Sequence, residues 1–333
     1  MVRVKCLIII PETPGPSASR PAGILGDVQF DFFRLRFHFQ ALDPLRFPST
    51  GAANTVRGAF GYALRQVACQ CSSRRHSQDC AYACIFEPRH LAPSGPSGFA
   101  ECPRPFVLRT RHLDGQSFLS HEPFSFDVHL FDLRNPSLRY FVEAFALIAN
   151  QGIGQLRGRA RLTSVEQLNT DDRVLGRVWD GDKCAGLCDP ASVPLTAGEP
   201  VTALRIRFLT PTELKCGGGL ALRPDFPVLF TRVRDRISIL ETLYGPGPLE
   251  IDFRTMGERA ASIEMTRCQI ETTRSQRRST RTGQLHPLGG FTGEAEYRGS
   301  LGEFLPYLEA ARWSGVGRQT VWGKGEICHH VIS

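Results

Sequence analysis

No stretch of this 333-residue sequence is apolar for long enough to cross a membrane. The apolar run at residues 6–10 ends at Pro11, whereas a spanning helix needs about 20 predominantly apolar residues. The same shortness argues against a secretory signal. We therefore expect no membrane partner and a cytoplasmic location.

Lysine is scarce, so arginine carries most of the positive charge. Lys plus Arg number 40 against 33 Asp plus Glu, which gives a formal net charge of +7. Guanidinium groups bind phosphate oxygens through paired N–H donors and stack on bases. The composition favours a nucleic-acid partner, although a GC-rich genome explains the arginine bias equally well.

Without an export signal, the 11 cysteines belong in a reducing compartment, where thiols stay free or bind metals. Hydrophobic residues make up 41% of the chain and charged residues 22%, as in folded soluble proteins. The length favours two domains with separate cores.

Alternating apolar and polar residues predict a first strand at residues 28–40. One face is apolar, and the other is an open basic face that includes Arg34, Arg36 and His38. Asn54 is placed to cap a helix that runs to Cys69. A strand at 124–130, a helix at 137–150 and a glycine- and arginine-rich loop at 152–161 complete the first half.

The second half repeats this order of elements. Strands are predicted at 204–209, 263–270 and 291–297, with helices at 226–243 and 301–311 before a glycine-rich loop at 315–325. In the strand at 204–209 the alternation places Arg205 and Arg207 on the outward face. The β-α-β-β-α-β order predicts an α+β fold of two tandem ferredoxin-like (RRM-like) domains, each with one uncovered sheet face. We place the domains at residues 1–180 and 195–333, joined near residues 180–200.

The glycine-rich loop is a candidate phosphate site, because glycines let backbone N–H groups approach phosphate oxygens. Its candidate RNA-binding residues are Gly315, Gly317, Arg318, Gln319, Thr320, Gly323, Lys324 and Gly325. The loop lacks the Gly-Lys-Ser/Thr sequence of a Walker loop. A purely structural turn remains the alternative.

A basic arm precedes this loop in the chain. It contributes Arg274, Arg277, Arg278 and Arg281 as candidate RNA-binding residues, separated by Ser, Thr and Gln. Arginines at this density suit an arm that follows a phosphate backbone. A solvated hairpin is the alternative.

Four cysteines lie close together in the first half, namely Cys69, Cys71, Cys80 and Cys84. Four thiolates can close a tetrahedral structural zinc site, although the C-x-C-x8-C-x3-C spacing departs from paired C-x2-C knuckles. An iron–sulfur cluster fits less well, and partly buried free thiols remain possible.

Several short motifs together resemble one family. In the first half these are RGAFGYALR at 57–65, CAYACIFEP at 80–88 and RPFVL at 104–108. In the second half they are FLTP at 208–211, PDF at 224–226, GGFTG at 289–293 and SGVGRQTVWGKG at 314–325. In this order they are similar to the CRISPR precursor-RNA-processing endoribonucleases of the RAMP superfamily.

The resemblance implies cleavage of CRISPR repeat RNA without a metal cofactor, by attack of a ribose 2′-OH on the adjacent phosphate. The family often uses a histidine after the first helix, which points to His76, with Tyr62 and Arg65 as assistants. His38 and His90 are the alternative histidines. Other Cas proteins are further possible partners, and the rival interpretation is a non-cutting RAMP subunit that binds crRNA in an effector complex.

Overall fold

The computed structural model describes residues 28–72, 76–88, 102–134, 136–273, 276–278, 285–287 and 289–332. His90, Arg274 and Arg281 lie outside the described residues. Arg277 and Arg278 are described only as backbone, within a short strand, so the basic arm stays a prediction.

The first half contains eight strands and three helices among the described residues. They are β1 (Gln29–Ala41), β2 (Leu45–Arg46), α1 (Ala52–Ala68), α2 (Ala81–Phe86), β3 (Phe106–Arg109), β4 (Ser117–Phe118), β5 (Pro123–Leu130), α3 (Leu138–Gln151), β6 (Ala160–Leu168), β7 (Val174–Trp179) and β8 (Ala191–Pro194).

The second half follows with the remaining described elements. They are β9 (Ala203–Thr212), β10 (Lys215–Cys216), β11 (Gly219–Leu220), α4 (Phe226–Tyr244), α5 (Phe253–Ala260), β12 (Glu264–Thr273), β13 (Gln276–Arg278), β14 (Leu285–Pro287), β15 (Gly290–Arg298), α6 (Leu305–Ser314) and β16 (Ile327–Val331).

Both halves have the ferredoxin-like strand order. The first sheet runs β3-β5-β1-β6-β7 and the second runs β12-β15-β9-β16, with antiparallel neighbours throughout. In each half the first and third strands of the β-α-β-β-α-β unit are central, and the second and fourth flank them. The predicted tandem ferredoxin-like fold is confirmed.

Aromatic side chains fill the first core because the alternating face of β1 meets the apolar stripes of α1 and α3. The Phe145 ring lies 4.8 Å from the rings of both Phe37 and Phe60, measured between centroids. The second core is built in the same way, with Phe230 of α4 at 4.5 Å from Phe304. Burial of such rings supplies much of the driving force for folding.

The start of β1 packs into the second core rather than the first. Phe30 and Phe32 are fully buried there, and β8 pairs with this part of β1. The segment expected to be a linker near residues 180–200 therefore contains a strand of the first sheet. The exact domain boundaries stay a prediction.

Candidate functional site

The glycine-rich loop (residues 315–325) is a tightly folded turn between α6 and β16. Gly317 has a φ of 80°, and a Cβ there would lie 2.3 Å from the Glu213 carbonyl oxygen. Gln319 also adopts a left-handed conformation, with a φ of 59°. Such a conformation is costly for a residue with a side chain, so the surrounding contacts must hold the turn in place.

Lys324 holds the loop together from inside. Its side chain is only 6% exposed, and its ammonium donates to Glu213 Oε1 at 2.7 Å, to Gln319 Oε1 at 3.0 Å and to the Gly289 carbonyl. Burial lowers the pKa of Lys324, while Glu213 opposes this shift. An ammonium has three donors, and all three are used, so Lys324 does not face solvent as expected for a phosphate contact.

Arg318 is the cation that this loop presents to solvent. Its side chain is 41% exposed, and its Nη1 donates to Glu213 Oε2 at 3.2 Å. Thr320, in contrast, is buried. Of the charged residues that the sequence placed in the loop, Arg318 is therefore available to a phosphate and Lys324 is not.

The loop docks on the first domain at the N-terminal end of α1. Gly323 lies so close to this helix that a Cβ there would be 2.4 Å from the Ala53 Cβ. One turn further on, the Arg57 guanidinium lies 5.2 Å from the centroid of the Trp322 ring. The loop of the second domain thus forms part of the surface beside the first helix.

Buried cations fix this arrangement at the C-terminal end of α6. Arg109 Nη2 donates to the Arg312 and Trp313 carbonyls, both at 2.9 Å, and Arg236 Nε donates to the Ser314 carbonyl at 3.0 Å. Burial lowers the pKa of Arg109, and it lowers that of Arg236 to about 9. Cationic donors are favourable here because the last carbonyls of a helix carry partial negative charge.

A neutral histidine completes the same junction. Burial and nearby Arg109 lower the pKa of His129 to about 3, so its imidazole is uncharged at neutral pH. Because the Trp313 carbonyl can only accept, the ring Nδ1 that lies 2.9 Å away must carry the proton and donate it. The two domains are therefore joined by hydrogen bonds with defined directions.

The first strand does not present an open row of arginines. Arg34 is 7% exposed, donates to Asp127 at 2.9 Å, and lies 5.2 Å from the Trp313 ring. The expectation of an open face at Arg34 is wrong, because the second domain covers this part of the sheet. Arg36, two residues on, is partly exposed and donates its Nε to Asp127 at 2.7 Å.

Three arginines from different elements act electrostatically on Cys328 of β16, and one of them, Arg207, is its cross-strand partner. Burial raises the pKa of the Cys328 thiol, while Arg207, Arg312 and Arg111 act on it in the opposite direction. We call these three residues the junction arginines. All three are exposed. Arg111 Nε lies 3.5 Å from Oε1 of Glu326, the residue that directly follows the glycine-rich loop.

The sequence pattern indicated only one of the junction arginines. Arg207 was expected to face outward from its strand, and it does. Arg111 lies in a short 3-10 helix and Arg312 in the last turn of α6. Neither has a periodic signal of its own, and only the packing of the two domains brings them together.

Two histidines flank Ser125 on the uncovered part of the first sheet. His38 is the cross-strand neighbour of Ser125, and its Nε2 lies 3.0 Å from Glu166 Oε2. His112 Nε2 lies 2.8 Å from the Ser125 carbonyl and donates to it. His112 directly follows Arg111, one of the junction arginines, in the same short 3-10 helix.

His76 lies elsewhere, among the cysteines. Its Nδ1 is 3.4 Å from Cys69 Sγ and 3.6 Å from Cys80 Sγ. Cys69 directly follows α1, whereas the glycine-rich loop touches Ala53 near the start of that helix. At 1.5 Å per residue these ends are about 24 Å apart, so the structure does not bring His76 to the loop.

Tyr62 and Arg65 are exposed side chains on the outer surface of α1. Tyr62 is 68% exposed, and Arg65 lies in the last turn of the helix. The structure shows neither of them in contact with the glycine-rich loop or with the junction arginines. Their catalytic role stays a prediction.

Each half of the chain matches a known protein-family model. Residues 206–327 match the model of the CRISPR-associated endoribonuclease Cas6, and residues 30–191 match the N-terminal domain model AF_1859_N. The second half of the chain is thus similar to the Cas6 family of CRISPR-associated endoribonucleases. No curated protein sequence matches the chain.

Solved structures agree with this fold. A Thermus thermophilus Cas6 in a product complex is 20% identical, with a TM-score of 0.52 over 90% of this chain and 100% of that one. A chain from a partial Cas6-RT-Cas1–Cas2 complex is 12% identical, with a TM-score of 0.50 over 91% of this chain and 46% of that one. At these identities the likeness shows the fold.

Among the residues that the structure describes, no helix is both long and apolar enough to span a bilayer.

Proposed function

We propose that this chain is a Cas6-type endoribonuclease that binds CRISPR repeat RNA and cleaves it to crRNA. The observation that carries the proposal is the junction between the domains. There Arg111 lies 3.5 Å from Glu326, the residue directly after the glycine-rich loop, and His112 follows Arg111, in a chain whose second half matches the Cas6 endoribonuclease model.

RNA binding at this junction follows from its charges. Arg207 and Arg312 present guanidinium groups to solvent, and Arg318 extends the basic surface along the glycine-rich loop. Glu326 and Glu213 pair with part of this charge, which positions the arginine side chains. Such contacts orient an RNA backbone and give binding that weakens as salt rises.

The cleavage that we propose needs no metal ion. The 2′-oxygen forms a bond to phosphorus as the bond from phosphorus to the 5′-oxygen breaks. One group accepts the 2′-OH proton, and another donates a proton to the departing 5′-oxygen. The products are a 2′,3′-cyclic phosphate and a 5′-OH, while nearby guanidinium groups stabilise the charge that develops on the phosphate.

His38 and His112 suit the two proton transfers. Each uses Nε2 in a hydrogen bond to the protein, His38 with Glu166 and His112 with the Ser125 carbonyl. In a neutral ring whose Nε2 carries the proton, Nδ1 is the basic nitrogen. One ring then acts as base at Nδ1 while the other, protonated, acts as acid. The competing assignment from the sequence is His76 with Tyr62 and Arg65.

The test is single-turnover cleavage of a repeat RNA by the full chain in excess chelator. We expect His38→Ala and His112→Ala each to slow cleavage by about 10²- to 10⁴-fold, with affinity changed only a few-fold, because arginines dominate the contacts. A 2′-deoxy substitution at the cut should block cleavage completely. His76→Ala should cut at close to the wild-type rate.

The outcomes separate the alternatives. A large loss of rate in His76→Ala, with His38→Ala unaffected, would return the catalytic role to the histidine after α1. Tight binding of repeat RNA without any cleavage by the wild-type chain would favour the non-cutting crRNA-binding subunit. Cleavage that requires an added divalent cation would refute the mechanism proposed here.

A further inference from the structure

Three thiols and one imidazole lie together in the segment between α1 and α2. The donor atoms of Cys69, Cys71, His76 and Cys80 all lie within 4.8 Å of one another. Cys69 directly follows α1, and Cys80 is the N-cap residue of α2. We call these four residues the Cys3His cluster.

The spacing of these atoms matches tetrahedral zinc. Zinc binds thiolate sulfur at about 2.3 Å and imidazole nitrogen at about 2.0–2.1 Å, which places neighbouring ligand atoms roughly 3.5–3.8 Å apart. The His76 Nδ1 atom lies 3.4 Å from Cys69 Sγ and 3.6 Å from Cys80 Sγ. The imidazole nitrogen thus lies from these two sulfur atoms at nearly the separations that a bound zinc ion requires, and all four ligand atoms lie within 4.8 Å of one another.

We propose that the Cys3His cluster binds one structural zinc ion. This ligand set differs from the four cysteines expected from the sequence, because His76 takes the position expected for Cys84. The Cys84 thiol instead donates to the Gln78 carbonyl at 3.3 Å. Four protein ligands leave no open coordination position, which is typical of structural rather than catalytic zinc.

The ring of His76 also packs against an aromatic ring of α2. Its centroid lies 5.1 Å from that of Tyr82 in α2, and the Tyr82 hydroxyl donates to Glu87 at 3.1 Å. Packing of this kind fixes the orientation of a ligand ring before the metal binds, which strengthens binding. His76 is therefore a zinc ligand rather than the catalytic histidine.

The zinc would fasten α2 to the end of α1. With six residues, α2 is too short to be stable by itself. Its last residue, Phe86, packs so closely on α1 that a Cβ at Gly61 would lie 2.3 Å from the Phe86 ring. A metal that joins Cys69 to Cys80 holds the opposite end of α2, so that both ends of this short helix are fixed.

Elemental analysis of the full chain, expressed with zinc in the medium, tests the site. We expect about one zinc ion per chain. Cys80→Ser and Cys71→Ser should each lose it, with a lower melting temperature. Cys84→Ser is the matched control and should keep both the zinc and the wild-type melting temperature. His76→Cys should retain metal, because it supplies a fourth thiolate.

Cobalt(II) distinguishes the ligand sets in the same proteins. The wild-type chain should give the intense visible spectrum of tetrahedral cobalt with thiolate ligands, and His76→Cys should shift it. Wild-type protein with no bound zinc would overturn the proposal, as would a loss of zinc from Cys84→Ser equal to that from Cys80→Ser. These readouts are independent of RNA cleavage.

Discussion

Gly323→Ala tests the contact between the glycine-rich loop and α1. The added Cβ would lie 2.4 Å from the Ala53 Cβ, whereas carbon atoms in favourable contact are about 3.5–4.0 Å apart. The loop must therefore move by more than about 1 Å. Overpacking of this kind costs about 1–3 kcal/mol. The left-handed φ of 76° adds about 1–2 kcal/mol for a residue with a Cβ.

Together these effects predict a loss of roughly 2–5 kcal/mol in the free energy of unfolding, measured by urea denaturation. Ala53→Gly removes the opposing methyl group, so the double variant should recover the overpacking part and show a coupling energy of about 1–3 kcal/mol. Gly186→Ala is the control, because a Cβ there has no atom within 4 Å. Strictly additive effects of the two substitutions would refute the contact.

Two further predictions concern charge. Burial, reinforced by Asp31, raises the pKa of Glu241 from 4.5 to about 8, so within this interval the folded chain holds a proton that the unfolded chain has released. Glu241 should therefore contribute a fall of up to about 5 kcal/mol in the free energy of unfolding as pH rises from 4.5 to 8. The difference in urea denaturation between the wild-type chain and Glu241→Gln should change by this amount over the interval, and a difference that does not change with pH would contradict the prediction. Arg111→Ala should weaken repeat-RNA binding, and the slope of log affinity against log salt concentration should become shallower by about 1, as measured by fluorescence anisotropy. The control Arg254→Ala, on exposed α5, should change neither quantity. Equal effects of the two substitutions would mean that the junction is not the RNA-binding surface.

The regular elements of this fold could be predicted from sequence because their signals are local. Alternation along β1 and the 3.6-residue stripes of α1 and α3 depend only on which residues face the core. The order of these elements then restricts the topology to a few arrangements, of which the tandem ferredoxin-like fold is one. Short elements such as α2 and β8 have too few residues for a periodic signal, and the sequence did not reveal them.

The start of α1 shows how a distant residue overrides a local signal. Asn54 was expected to cap this helix, but the helix begins at Ala52, whose N–H donates to Asp114 Oδ1 at 2.8 Å. The acceptor comes from a turn far along the chain. A local capping pattern cannot anticipate it, because the approach of that turn depends on how the sheet packs against the helix.

By itself, the sequence determined the fold class, the outward face of Arg207, the position of the glycine-rich loop and the presence of a thiol-rich segment. Tertiary structure alone decided which charges remain available. The sequence predicted Arg34 and Lys324 to be surface cations. In the structure both are buried and form ion pairs with Asp127 and Glu213, each more than ninety residues away. Tertiary structure also brought His76, rather than Cys84, into the cluster with Cys69, Cys71 and Cys80. Side-chain pairing across such separations is fixed when sheets and helices pack, and no local pattern records it.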